Sequence, residues 1–148
     1  FILQWHVIGM FAPSFFTGDL IKRFGVLTIL GVGAALMFLC IGIALSGVTL
    51  MHFWWALVLL GIGWNFLFIG GTTLLTETYR PEEKAKVQGT NDFLVLGVQG
   101  LTSLSSGVLV TSTGWASLNT YALPIVAMTA LATALFWFHR RSARDGLA

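Results

Sequence analysis

The sequence predicts an all-α chain that crosses a membrane as a bundle of five helices. Three observations predict it. Of its 148 residues, 56% are hydrophobic and 9% are charged, against about 25% charged in soluble proteins. The charges fall in clusters, with none between Phe24 and Thr76 and none between Phe93 and Phe138. Runs such as Val26 to Leu45 do not alternate polar and apolar residues as barrel strands do. In lipid, only a helix satisfies its own backbone over such a run. This composition excludes a soluble globular domain, a disordered chain and, with Cys40 the one cysteine, a disulfide scaffold.

The first element is the apolar stretch 1–17. It opens on Phe1, has no basic region ahead of it and no small-residue cleavage site, so it reads as a span of a longer parent and not as a signal peptide. Each charge-free block is then long enough for two crossings of about 20 residues. A polar break divides each one: Ser46-Gly47-Val48-Thr49 in the first, Thr111-Ser112-Thr113-Gly114 in the second. The spans follow as roughly 1–17, 26–45, 53–75, 92–111 and 120–138. Pro13 and Pro124 are placed to kink the first and fifth, because proline removes one backbone bond. Arg80-Pro81-Glu82-Glu83 reads as a helix start, with proline in the first turn and acids that complement the dipole.

Parity sets the topology. The charge clusters around Lys22, Lys84 and Arg140 follow the first, third and fifth spans, and all 8 Lys and Arg lie in them. Positive-inside bias makes that side cytoplasmic, with the C-terminus there. Trp54, Trp55, Trp115 and Tyr121 fall at the outer boundary, Tyr79 and Trp137 at the inner one, where aromatic belts lie.

The spans differ in polarity. The second and fifth are almost wholly apolar and read as peripheral, facing lipid. The first, third and fourth carry polar side chains, which in a membrane face other helices or a water-filled cavity. Gln4, His6, Asn65, Thr72 and Gln99 are the candidate cavity residues. Asn65 and Thr72 share a helical face by their spacing, as do Gln99, Thr102, Ser103 and Ser106. His6 lies about 12 residues before the charged turn, or ~18 Å at 1.5 Å per residue, within the bilayer. Interhelical hydrogen bonding is the other reading of these groups, and for Asn65 and Gln99 the two stay open. Gly31/Ala35, Gly42/Ser46 and Ser103/Gly107 are small-xxx-small pairs suited to close helix approach. Gly61, Gly63, Gly70 and Gly71 crowd one span and suggest that it bends.

The segment Gly18-Asp19-Leu20-Ile21-Lys22-Arg23-Phe24-Gly25 resembles the signature loop of the major facilitator superfamily, G-x-L-x-D-R-x-G-R-[RK]. Gly18, Leu20, Arg23 and Gly25 match; Lys22 replaces the acid, and Val26 and Leu27 replace the basic pair. The weaker of that family's two copies, between helices eight and nine, fits best. Residues 6–18, 61–76 and 79–88 resemble the end of helix eight, helix ten and the loop before helix eleven of bacterial members.

The resemblance implies a C-terminal fragment covering helices eight to twelve, most of one six-helix half of a secondary transporter in the bacterial inner membrane. Its partners would be the lipid bilayer, the missing N-terminal half and a small organic solute, a drug or metabolite, with efflux the direction in view. Gly18, Asp19, Arg23 and Gly25 would form a cytoplasmic loop latch, and Glu77, Arg80 and Asp92 a charge network beside it. Neither cofactor nor metal is expected. An accessory five-helix subunit is the alternative. A membrane-embedded enzyme is a weaker one, since the sequence has no HExxH, no GxSxG and no phosphate-binding loop. The basic clusters are short and mixed with acids, which excludes nucleic acid.

Overall fold

The computed structural model describes residues 1–145, and side chains as far as Ser142, so the side chains of Arg144 and Asp145 in the third charge cluster lie outside the described residues. The chain is all-helical: α1 (Ile2–Phe11), α2 (Ser14–Phe24), α3 (Val26–Ser46), α4 (Leu50–Leu75), a short 3-10 turn (Pro81–Glu83) and α5 (Lys84–Asp145). Three of these, α3, α4 and the run through α5, are by themselves long and apolar enough to cross a membrane.

Pro13 separates α1 from α2. It has no N–H, and the ladder resumes with Phe15 donating to the Ala12 carbonyl at 3.4 Å and with Phe16 and Thr17 donating to the Pro13 carbonyl at 3.0 and 2.8 Å. The two helices together span roughly 34 Å, enough for one broken crossing. α2 continues through the signature segment. Gly18, Asp19 and Arg23 are therefore helical, and the turn itself is confined to Gly25. Gly25 has φ 87° and ψ 149°, a conformation open to glycine almost alone. Lys22 and Arg23 end α2 where its dipole favours cations.

α5 has 62 residues, roughly 93 Å if straight and about three times the bilayer core. It does not run straight. Gly114, in the polar break, leaves helical geometry with φ 84° and ψ 170°, and the chain turns back. Trp115 then donates from its indole N–H to the Ala44 carbonyl at 2.9 Å, and Arg140 reaches Glu77, which precedes α5 in the chain. Residues 84–113 and 115–145 are thus two arms, each long enough for one crossing. We expect Gly114→Ala to destabilise the fold by about 1–3 kcal/mol, because L side chains rarely adopt this geometry. Gly107→Ala, with open space at its Cβ, is expected to be neutral or to stabilise by up to about 1 kcal/mol. Equal melting temperatures for the two variants would refute the role given to Gly114.

Helix directions alternate as parity requires. Leu30 packs against Gly70 and Gly33 against Gly63, and Ala44 clusters with Ala56, so α3 and α4 are antiparallel. α1 runs parallel to α4, with His6 at Leu57 and Gly9 at Gly61. Residues 115–145 run back along α3. The charge clusters therefore converge at one end, and Gly47 and Gly114 lie at the other.

α3 packs on one face against both α4 and α5 and contributes most of the buried core, from Val26 to Ala44, while Val32, Phe38 and Leu39 stay exposed on its other face. Its lack of polar groups does not set its position, because helices in lipid associate by close packing as well as by hydrogen bonds. The close approaches also fall elsewhere than at the sequence pairs. Gly31 and Gly42 face open space, whereas a Cβ on Gly61 would sit 2.5 Å from the His6 carbonyl oxygen, and one on Gly33 3.2 Å from that of Gly63. The α4 glycines Gly61 and Gly63 are contact points with α1 and α3 along a continuous helix.

Candidate substrate groove

A groove of about 910 Å³ runs between α1, α4 and both arms of α5. α1 supplies His6 and Met10, and α4 supplies Leu60 and Trp64. Residues 84–113 supply Gln99, Thr102, Ser103 and Ser106, and residues 115–145 supply Ile125 and Thr129. A second groove of about 390 Å³ shares Met10, Trp64 and Gln99 and continues to Phe68 and Asp92.

The close contact of Gly9 and Gly61 sets the α1 wall. It lets the His6 ring reach α4, where Nδ1 lies 2.8 Å from the Leu57 carbonyl. A carbonyl only accepts, so Nδ1 carries the proton and Nε2 is left for the groove. Trp64 and Phe68 are one helical turn apart, and their rings stack with centroids 4.7 Å apart at 7°. Trp64 lines both grooves, and Phe68, stacked behind it, lines only the second. Opposite, Thr102 donates to the Val98 carbonyl at 2.7 Å and Ser106 to that of Ser103 at 2.8 Å. With their protons used inside the helix, these hydroxyls present lone pairs to the groove. Among the described residues the Gln99 amide has no hydrogen-bond partner, so it offers the groove both a donor and an acceptor.

Of the sequence candidates, His6 and Gln99 meet in this groove. Gln4 is exposed and Thr72 half-buried, and neither lines it. Asn65 is 1% exposed and faces α1 and α2. Its Nδ2 donates to the Met10 carbonyl and Ser14 Oγ, both at 2.6 Å, and its Oδ1 lies 2.8 Å from Thr17 Oγ1. That knot serves the backbone freed at the Pro13 break. Trp64, Met10 and Thr129 were not anticipated. The aromatic pair at i and i+4 was a readable signal for Trp64. Thr129 was discounted because its span looked peripheral.

At the charged end the expected network rearranges. Glu77 pairs with Arg140, not with Arg23 or Arg80. The Arg80 backbone N–H donates to Glu83 at 3.2 Å, as a capping interaction. Asp19 pairs with Lys22 at 3.3 Å, both about four-fifths exposed, and such a pair contributes little. Arg23 lies over the Phe24 ring, 5.2 Å from its centroid. Asp92 belongs to the second groove. Among the described residues no cluster of His, Cys, Asp and Glu could hold a metal ion.

Comparison with known proteins decides the family. The family model of the Major Facilitator Superfamily matches residues 2–147. The chain belongs to the major facilitator superfamily. It is 49% identical over 126 residues to the riboflavin transporter RfnT of Brucella anthropi, covering 85% of this chain and 32% of that protein. It is 32% identical to the uncharacterized MFS-type transporter YddS of Bacillus subtilis over 95% of this chain and 32% of that protein. A second Bacillus subtilis relative, the uncharacterized MFS-type transporter YdeG, is 31% identical over 80% of this chain and 28% of its own length. The chain thus spans about a third of the length of these relatives. No solved structure matches it significantly. Members of this superfamily are integral, multi-pass membrane proteins that move solutes and are not enzymes.

Proposed function

We propose that residues 1–148 supply helices eight to twelve of a twelve-helix secondary transporter, and that the groove carries a small organic solute by alternating access. The observation that carries this reading is the groove itself. The Trp64 ring, backed by the stacked Phe68 ring, lies along it, with the His6 Nε2 and the Gln99 amide at its polar points. Its volume suits a metabolite-sized ligand, since such sites run about 300–1,000 Å³. An N-terminal half would close its open side.

The solute class we assign is a planar heteroaromatic such as riboflavin. The relative named as a riboflavin transporter, at 49% identity, supports it. So does the chemistry: a flat ring system stacks on Trp64, and a ring edge with a carbonyl and an N–H pairs with a carboxamide. Positive-inside bias puts the charged end and the C-terminus in the cytoplasm.

The test is labelled riboflavin transport by the full-length protein in proteoliposomes. Trp64→Ala is expected to raise KM about tenfold through lost stacking. Gln99→Leu is expected to raise it roughly threefold to tenfold through lost hydrogen bonds. Both should insert and fold as the wild type does. Unchanged KM in both variants, with normal insertion, would remove the groove from the solute path.

A further inference from the structure

Away from the substrate groove, on the outer side of α3, two concavities are joined end to end. The first, about 420 Å³, lies at the charged end between the first turn of α3 and the side chains of Trp137, Arg140 and Arg141. The second, about 430 Å³, continues from it between α3 and residues 115–145, sharing Leu27 and Trp137. Its floor is made of small apolar residues: Gly31, Ala34 and Ala35 on α3, facing Ala130 and Ala134. A basic chamber thus opens into a smooth apolar trench that runs toward the bilayer centre.

We propose that this pair of cavities binds one anionic phospholipid. Its phosphate sits among Arg140, Arg141 and the first turn of α3, and one acyl chain lies in the trench. The charges favour an anion. Glu77 is bonded to Arg140 and offsets it. Arg141 lies over the Trp137 ring, 5.3 Å from its centroid, and among the described residues has no carboxylate partner. The first turn of α3 has no side-chain cap and carries no acid, so its N–H groups and dipole add positive potential. The chamber is also at the depth of lipid phosphates, since the chain's basic clusters meet at this end. The trench is what selects lipid over a soluble anion: it has almost no polar surface and is continuous with the phosphate position. A choline headgroup would bring a cation beside Arg141, so phosphatidylglycerol is favoured over phosphatidylcholine. This inference does not depend on which solute the groove carries.

The experiment is native mass spectrometry of the full-length transporter, titrated separately with phosphatidylglycerol and phosphatidylcholine. The wild type is expected to retain phosphatidylglycerol preferentially. Arg141→Ala should weaken that retention about fivefold, the effect of one basic residue near an anionic surface. Gly31→Leu keeps every charge and meets no protein atom at its Cβ. It fills the trench and should also abolish the preference. Inorganic phosphate at millimolar concentration should not displace the lipid. Displacement by phosphate, together with undiminished phosphatidylglycerol retention in Gly31→Leu, would identify a soluble anion as the occupant and overturn the proposal. Equal retention of both lipids, or retention unchanged in both variants, would overturn it too.

Discussion

Asn65→Leu is expected to lower the stability of the full-length transporter by about 2 kcal/mol or more while leaving the KM of the solute unchanged. Asn65 is enclosed where α4 meets the Pro13 break, and it binds the Met10 carbonyl, Ser14 Oγ and Thr17 Oγ1. Ala12 N–H makes the last regular bond of α1, to Ile8, before proline interrupts the ladder. The Asn65 carboxamide supplies a donor to the Met10 carbonyl at this break. An interhelical hydrogen bond in a membrane contributes about 0.6 kcal/mol on average, so three give about 2. The penalty of about 1–3 kcal/mol for each buried group left unpartnered raises the cost further. Thermal unfolding in detergent and solute KM, measured on the same preparation, separate the roles. An unchanged melting temperature with a raised KM would place Asn65 in the solute path, beside Thr72 on the face their spacing suggests.

Gly61→Val is expected to damage both folding and transport. A Cβ at Gly61 would lie 2.5 Å from the His6 carbonyl oxygen, 3.0 Å from the Met10 amide nitrogen and 3.1 Å from the Gly9 carbonyl carbon. All three are backbone atoms, so no rotamer change relieves the overlap, and α1 must move off α4. Overpacking of this kind costs about 1–3 kcal/mol or more. It also pulls His6 away from the Leu57 carbonyl and opens the α1 wall of the groove. Gly71→Ala is the control, because Gly71 is on the same helix and its Cβ would meet nothing within 4 Å. Comparable melting temperatures for Gly61→Val and Gly71→Ala would sink this account of α1 packing.

The same two residues show where reading the sequence stops. Asn65 and Gln99 looked alike: each an amide on an apolar helix, too costly to leave in lipid. Periodicity places a residue on a face of its own helix but does not say what that face meets. The Pro13 break turned Asn65 into a packing group, whereas Gln99 faces the groove. Close approach was hidden in the same way. Gly31 and Gly61 both have small neighbours along the chain, but the contact at Gly61 depends on Gly9 arriving from another helix. Glu77 and Arg140 lie 63 positions apart, and nothing local in either segment marks them as partners.

What the sequence determined by itself follows from solvation. Lipid excludes charge and unpaired backbone, so the length of each charge-free run, the polar breaks at Gly47 and Gly114 and the convergence of basic residues at one end were all legible. Composition and parity depend on each helix and the bilayer, not on its neighbours. What only the tertiary structure decided depends on neighbours: which face of α3 packs against α4 and α5, Asn65 as the clamp on a broken helix, Trp64 as a wall of the groove, and a basic chamber continuous with an apolar trench. Lipid tails are as apolar as leucine, so hydrophobicity does not choose which helix faces inward. Shape and a few buried hydrogen bonds make that choice, and they exist only once the helices meet.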